Sequence, residues 1–170
     1  MKTLPMMSFG EAVKTCFKKY VTFSGRARRS EYWWFALLSI ILGVCSTLLV
    51  NWKLGRQSEL ESQIVEAAFD QDKYNALLAQ AESVDNTFFP LILLIGIVAL
   101  ILLLPTLAAC VRRLHDTGRS GWIVLLNFVP VVNIVTGILT LIWTIQDSKP
   151  EENQFGPSPK YVEEAVPAAE

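Results

Sequence analysis

The chain has 170 residues, 52% of them hydrophobic and 18% charged, with a formal net charge of −1. That length suits a single domain, and so high an apolar content excludes an ordinary water-soluble protein. The near-neutral sum also hides segregation: residues 1–31 hold seven Lys or Arg against two acids and 112–119 three against one, whereas 53–85 hold three against seven and 147–170 two against six.

Ser8 and Glu11 have the spacing of a capping box, so a helix is expected over 8–21. Phe9, Ala12, Val13, Cys16, Phe17 and Tyr20 recur at helical intervals, with Lys14, Lys18 and Lys19 on other faces. Such a short basic amphipathic helix suits the plane of a membrane interface. A basic linker, Phe23 to Arg29, follows.

Three stretches carry no Asp, Glu, Lys, Arg or His: 32–52, 86–111 and 120–146, of 21, 26 and 27 residues. Each reaches the roughly 20 residues that an α-helix needs to cross a ~30 Å hydrocarbon core. Crossings are therefore expected at 31–52, 87–111 and 121–146. Tyr32, Trp33 and Trp34 at one end of the first and Trp52 at the other would anchor it at the headgroups, as Trp122 would anchor the third. The charged arm before the first crossing is too long, and its apolar run too extended, for a cleavable signal.

Between the first two crossings, the acidic connection 53–85 has Leu60, Ile64, Ala67, Tyr74, Leu77 and Ala81 near a helical repeat. The pattern predicts one extramembrane helix of about 25 residues, or two broken near 70–72. In the second crossing, Pro90 is expected in the first turn and Pro105 at a kink near the far end. The basic turn 112–119 leads to the third crossing, with Ser120 its expected cap. Asn127, Pro130, Asn133 and Gly137 interrupt that crossing and could kink it or split it into a re-entrant pair. The tail 147–170, with four prolines, is expected to be loose, and 162–170 disordered.

The fold class is thus an all-α integral membrane protein: an interfacial helix, three transmembrane helices and a helical excursion, in a single membrane domain spanning 1–160. Positive charge gathers in the cytoplasm. The N-terminus and basic turn are accordingly placed inside, with the excursion and C-terminus outside. Cys16, Cys45 and Cys110 lie in or beside apolar helices and read as small hydrophobes, not as a disulfide framework.

Three motifs carry a resemblance: Arg26-Ala27-Arg28-Arg29-Ser30-Glu31-Tyr32-Trp33, Arg112-Arg113-Leu114-His115-Asp116-Thr117-Gly118-Arg119-Ser120-Gly121-Trp122, and Asn153-Gln154-Phe155-Gly156-Pro157-Ser158-Pro159. From about Phe17 to Pro159 the chain resembles the bacterial inner-membrane proteins grouped as domain of unknown function 805, the YhaH-like family. The resemblance implies a small multispanning inner-membrane protein and supplies no mechanism. Two departures stand out. The family generally has a short first connection, and it carries glycines where Ser148 to Glu152 stand here.

On this topology Arg26, Arg28, Arg29, Arg112, Arg113 and Arg119 converge on one cytoplasmic surface. Guanidinium groups bind phosphate in planar, bidentate fashion, so an anionic phospholipid headgroup is one expected contact. Topology determination is the other reading, with Glu31 and Asp116 pairing with these arginines to lock the helices. His115 beside Asp116 has no second His, nucleophile or metal-ligand set around it, so no catalytic residue, metal site or cofactor is expected. The basic cluster hugs the membrane entry points without a nucleic-acid motif, so nucleic acid is not expected as a partner. The expected function is non-enzymatic: a scaffold or partner protein whose arginine face meets anionic lipid or another membrane protein. The alternative is an oligomeric small-solute transporter or pore subunit.

Overall fold

The computed structural model describes residues 2–162. In chain order these form β1 (Lys2–Thr3), α1 (Phe9–Lys18), α2 (Arg29–Glu66), α3 (Gln71–Asp116), α4 (Ile123–Leu126), α5 (Val132–Ile145) and β2 (Tyr161–Val162). The chain divides into two compact units, Ile40–Ile101 and the remainder.

In the remainder, α1 starts as its sequence dictates: Ser8 N–H donates to Glu11 Oε2 at 2.8 Å, and the Ser8 hydroxyl accepts from Glu11 N–H. The helix expected at the lipid interface packs its narrow apolar face on the protein itself. Cys16 joins Phe35 of α2 and Ala109 of α3 in a core that Val13, Tyr32, Leu38 and Leu102 extend. Phe17 meets Phe35 edge-on at 5.8 Å.

The end of α3 is written in the motif Leu114 to Arg119. Arg119 N–H reaches back to Leu114 O at 2.9 Å and Gly118 N–H to His115 O at 3.0 Å, with Gly118 at φ +78°. This pairing is a Schellman stop, whose left-handed residue suits glycine. Gly121 then passes so close to α3 that a Cβ there would lie 2.5 Å from Val111 Cγ1.

The third expected crossing is not one helix. Four residues of α4 lead to a break at Pro130 and Val131, the latter at φ +71°, and α5 follows. The turns after α4 continue as i→i−3 bonds, the last from Val129 N–H to Leu126 O at 3.1 Å, and stop at Pro130, which has no N–H to extend them. Thr136 Oγ1 of α5 donates to Asn127 Oδ1 at 2.6 Å, tying the two pieces together. The 14 residues of α5 rise about 21 Å at 1.5 Å each, short of a ~30 Å core. Ser120 does not cap α4 either, since Trp122 occupies that position.

The tail departs from expectation as well. Residues 147–162 are tied down: β2 pairs antiparallel with β1, with Lys2 opposite Val162 and Thr3 opposite Tyr161. Leu4 N–H donates to Lys160 O at 2.8 Å, and Asn153 Nδ2 to His115 O at 2.9 Å. The two ends of the described chain, expected on opposite sides of a membrane, are thus hydrogen-bonded to each other. Residues 163–170, including most of the stretch expected to be disordered, lie outside the described residues.

The other unit, Ile40–Ile101, is a pair of helical arms. The acidic connection forms no separate helix; it continues α2 to Glu66 and begins α3 at Gln71, because no proline lies between Lys53 and Asp85 to interrupt it. The turn falls at 67–70, where Asp70 Oδ1 accepts from Lys73 N–H at 3.1 Å. Leu60, Ala67 and Leu77 pack between the arms, Lys53 pairs with Asp85 at 2.9 Å, and Trp52 lies 5.2 Å from Phe88. Pro90, expected in a first turn, is interior to α3 because the acidic arm precedes it. Ile40, Val44, Leu48, Leu93, Leu94 and Leu100 are exposed.

Candidate functional site

Asp116 sits in the last turn of α3, one turn beyond Arg113, so the two side chains share a face. Its carboxylate takes Arg26 Nε at 2.9 Å on Oδ1 and Arg113 on Oδ2. Arg113 and Asp116 are 0% exposed. A charge can be buried so deeply only if it is paired and its remaining donors are bonded. They are: Arg113 also donates to the carbonyls of Ala27, Thr144 and Gln146. Thr144 and Gln146 end α5, where unpaired carbonyls carry partial negative charge.

Arg112 does the same for α1. Its Nη1 donates to Thr22 O at 2.6 Å and to Lys19 O at 3.2 Å, just past the end of that helix, while Nη2 meets Glu31 Oε1 at 2.9 Å. The adjacent arginines of α3 thus hold the C-terminal ends of two other helices. Arg26 gathers the tail, donating to the carbonyls of Lys149, Glu151 and Gly156. Ala27 N–H donates to Arg112 O at 3.0 Å, stitching the linker to α3.

His115 is part of the same joint. Its ring stacks on Phe155 at 3.7 Å and 3°, and Nδ1 lies 3.2 Å from Gly25 O. A carbonyl only accepts, so Nδ1 carries the proton. Burial lowers the pKa of His115, and the Gly25 carbonyl partly opposes it.

The six arginines expected at a phosphate-binding surface therefore divide. Arg26, Arg112 and Arg113 are buried and turned into protein. Arg28, Arg29 and Arg119 remain at least partly exposed. Arg28 reaches Pro5 O at 2.8 Å, Arg119 lies over the Trp143 ring at 4.9 Å, and Arg29 has no hydrogen-bond partner among the described residues. The aromatic anchors divide too. Tyr32 packs on the core, and the indoles of Trp33 and Trp34 donate to Thr144 O and Met7 O, whereas Trp52 and Trp122 are exposed.

Sequence reasoning missed a cleft of about 570 Å³ beside the first turns of α2. The arm Leu4, Pro5 and Met6 forms one wall, Trp33, Trp34 and Leu37 another, and Arg28, Arg29, Asp147 and Lys160 bring charge. Lys160 bonds Asp147, raising the lysine's pKa and lowering that of the carboxyl. Nothing local announces this cleft, because its parts come from both ends of the chain.

A family model described as "Protein of unknown function (DUF805)" matches residues 20–157. The chain is similar to the inner membrane protein YhaH of Escherichia coli (strain K12), 34% identical over 143 residues covering 84% of this chain and 91% of YhaH. It is likewise similar to the inner membrane protein YhaI of the same strain, 33% identical over 144 residues covering 85% and 91% of the two chains. No solved structure matches.

Proposed function

We propose, from the premise that the chain belongs to the DUF805 family, that it is a non-enzymatic scaffold or partner protein of the bacterial inner membrane whose basic cytoplasmic face contacts anionic phospholipid. The uncharged parts of α2 and α3 cross the bilayer, and α4 and α5 enter it and return as a re-entrant pair. An even number of crossings suits the joined arm and tail, which, with the basic turn, lie in the cytoplasm by the positive-inside rule. The acidic excursion lies outside.

The observation that carries the reading is the division of the arginines. Arg26, Arg112 and Arg113 build a rigid platform at the ends of the crossings, and Arg28, Arg29 and Arg119 are left for other partners. Basic side chains beside an anionic leaflet gain about 1 kcal/mol each. A pore has less to build on: Thr136, Thr140 and Thr144, the polar face of α5, are buried against the chain's own residues.

Extraction of the full chain in mild detergent, followed by quantification of retained lipid, tests the proposal. Phosphatidylglycerol should be retained over phosphatidylcholine, and the R28Q/R29Q/R119Q variant should lose the preference. Equal retention of both lipids by the unaltered chain refutes it.

A further inference from the structure

We propose that the cleft beside the first turns of α2 is a seat for one anionic phospholipid, taking the phosphate on Arg28 and Arg29 and the start of an acyl chain along Leu37 and Trp34. The proposal rests on the lipid-contact reading above and deepens it, turning a basic face into a single built site.

Four observations carry it. The volume, about 570 Å³, falls within the ~300–1,000 Å³ of small-molecule sites. The walls are mixed in the manner of an amphiphile, with guanidinium groups at one level and Leu4, Met6, Trp34 and Leu37 at the other. Charge is complementary to an anion: Arg28, Arg29 and Lys160 line the cleft against one carboxylate, Asp147, which Lys160 bonds and Arg29 also faces, so a net positive charge remains. The Arg29 guanidinium in particular makes no hydrogen bond among the described residues, so its donors are available to a phosphate.

The height is also right. Arg28 and Arg29 immediately precede Ser30 and Glu31, and the charge-free stretch begins at Tyr32. The cleft therefore straddles the level at which a headgroup gives way to hydrocarbon. Its outer wall is a strap rather than a loose end. Arg28 holds Pro5 O, Trp34 holds Met7 O, Ser30 Oγ accepts from Met7 N–H, and β1 is pinned to β2. A free inorganic or sugar phosphate would use the arginines but not the apolar walls, so a lipid accounts for more of the site.

Native mass spectrometry of the full-length protein in detergent, titrated separately with phosphatidylglycerol, phosphatidylcholine and glycerol phosphate, tests the seat. One phosphatidylglycerol should bind ahead of all others. R29Q should weaken that first step about fivefold and R28Q/R29Q about thirtyfold, at ~1 kcal/mol per basic group. Leu37→Trp, which narrows the apolar wall without altering charge, should weaken it as well. Lys14→Gln, which removes an exposed charge of α1, should leave it within about twofold. If phosphatidylglycerol instead binds in several equal steps that R29Q and K14Q reduce alike, the seat is overturned while general lipid contact survives. Displacement by glycerol phosphate at matching concentration also overturns it, in favour of a soluble anion. No preference for phosphatidylglycerol over phosphatidylcholine in the unaltered chain sinks the seat and the broader reading together.

Discussion

Replacing Asp116 by Asn preserves shape and removes one charge, and it isolates what the arginine platform contributes. Asp116 is the shared acceptor of Arg26 and Arg113, and all three side chains are at most 1% exposed. Without the carboxylate two guanidinium groups stay buried with carbonyl partners but no counter-ion. Removing one member of a buried pair costs about 3–5 kcal/mol, a large part of the 5–15 kcal/mol that separates folded from unfolded chains. At roughly 2–4 °C per kcal/mol for a chain of this size, the melting point in detergent should fall on the order of 10 °C. Asp85→Asn is the matched control: its partner is Lys53 at the same 2.9 Å, but the side chains are 18% and 56% exposed. Solvent screening limits such a pair to less than about 1 kcal/mol. Thermal unfolding of D116N and D85N side by side, with trypsin cleavage at Lys160 to follow the tail, reads both effects. A D116N protein that melts with D85N and keeps its tail protected would refute the reasoning that buried charge holds this joint.

Three further outcomes are expected. Gly118→Ala places a Cβ at φ +78° and 3.1 Å from Lys149 Nζ, so chemical denaturation should show a loss of about 1–2 kcal/mol. Burial lowers the pKa of His115, so the unfolded chain binds the proton more readily and stability falls as pH drops from ~6.5 through the folded value. The protection of amides around Phe155, taken against the free-peptide exchange rate at each pH, should accordingly fall between pH 7.5 and 5.5. Asp147, held low by Lys160, does not titrate in that window, and unchanged protection there would count against the His115 stack. Single cysteines at Lys14 and Gln154 should react with an impermeant thiol reagent from the same side of sealed vesicles. Labelling from opposite sides would contradict the strand pairing.

Much of this protein is legible in one dimension because it depends on composition or on neighbours within a turn. Lipid solubility follows from three stretches without charge, the start of α1 from Ser8 and Glu11, and the turn at 67–70 from the polar residues around Asp70. The partnership of Asp116 with Arg113 is readable from a spacing of three on one helix. Pro130 marks a possible break in the third segment, but whether a chain kinks or splits there depends on what meets the freed backbone. Here Asn127 meets Thr136 nine residues on.

Only the assembled chain decides which arginines face outward. The guanidinium of Arg26 is chemically the same as that of Arg29; one is enclosed because tail carbonyls from Lys149 to Gly156 close over it, and the other is not. The side on which the tail lies rests equally on remote partners, since β1 and β2 are two residues each and neither would hold alone. Local pattern reports which groups must avoid lipid or water. Which of them satisfy one another is a matter of contacts between residues about a hundred positions apart, as with Arg26 and Asp116, and those exist only once the helices have packed.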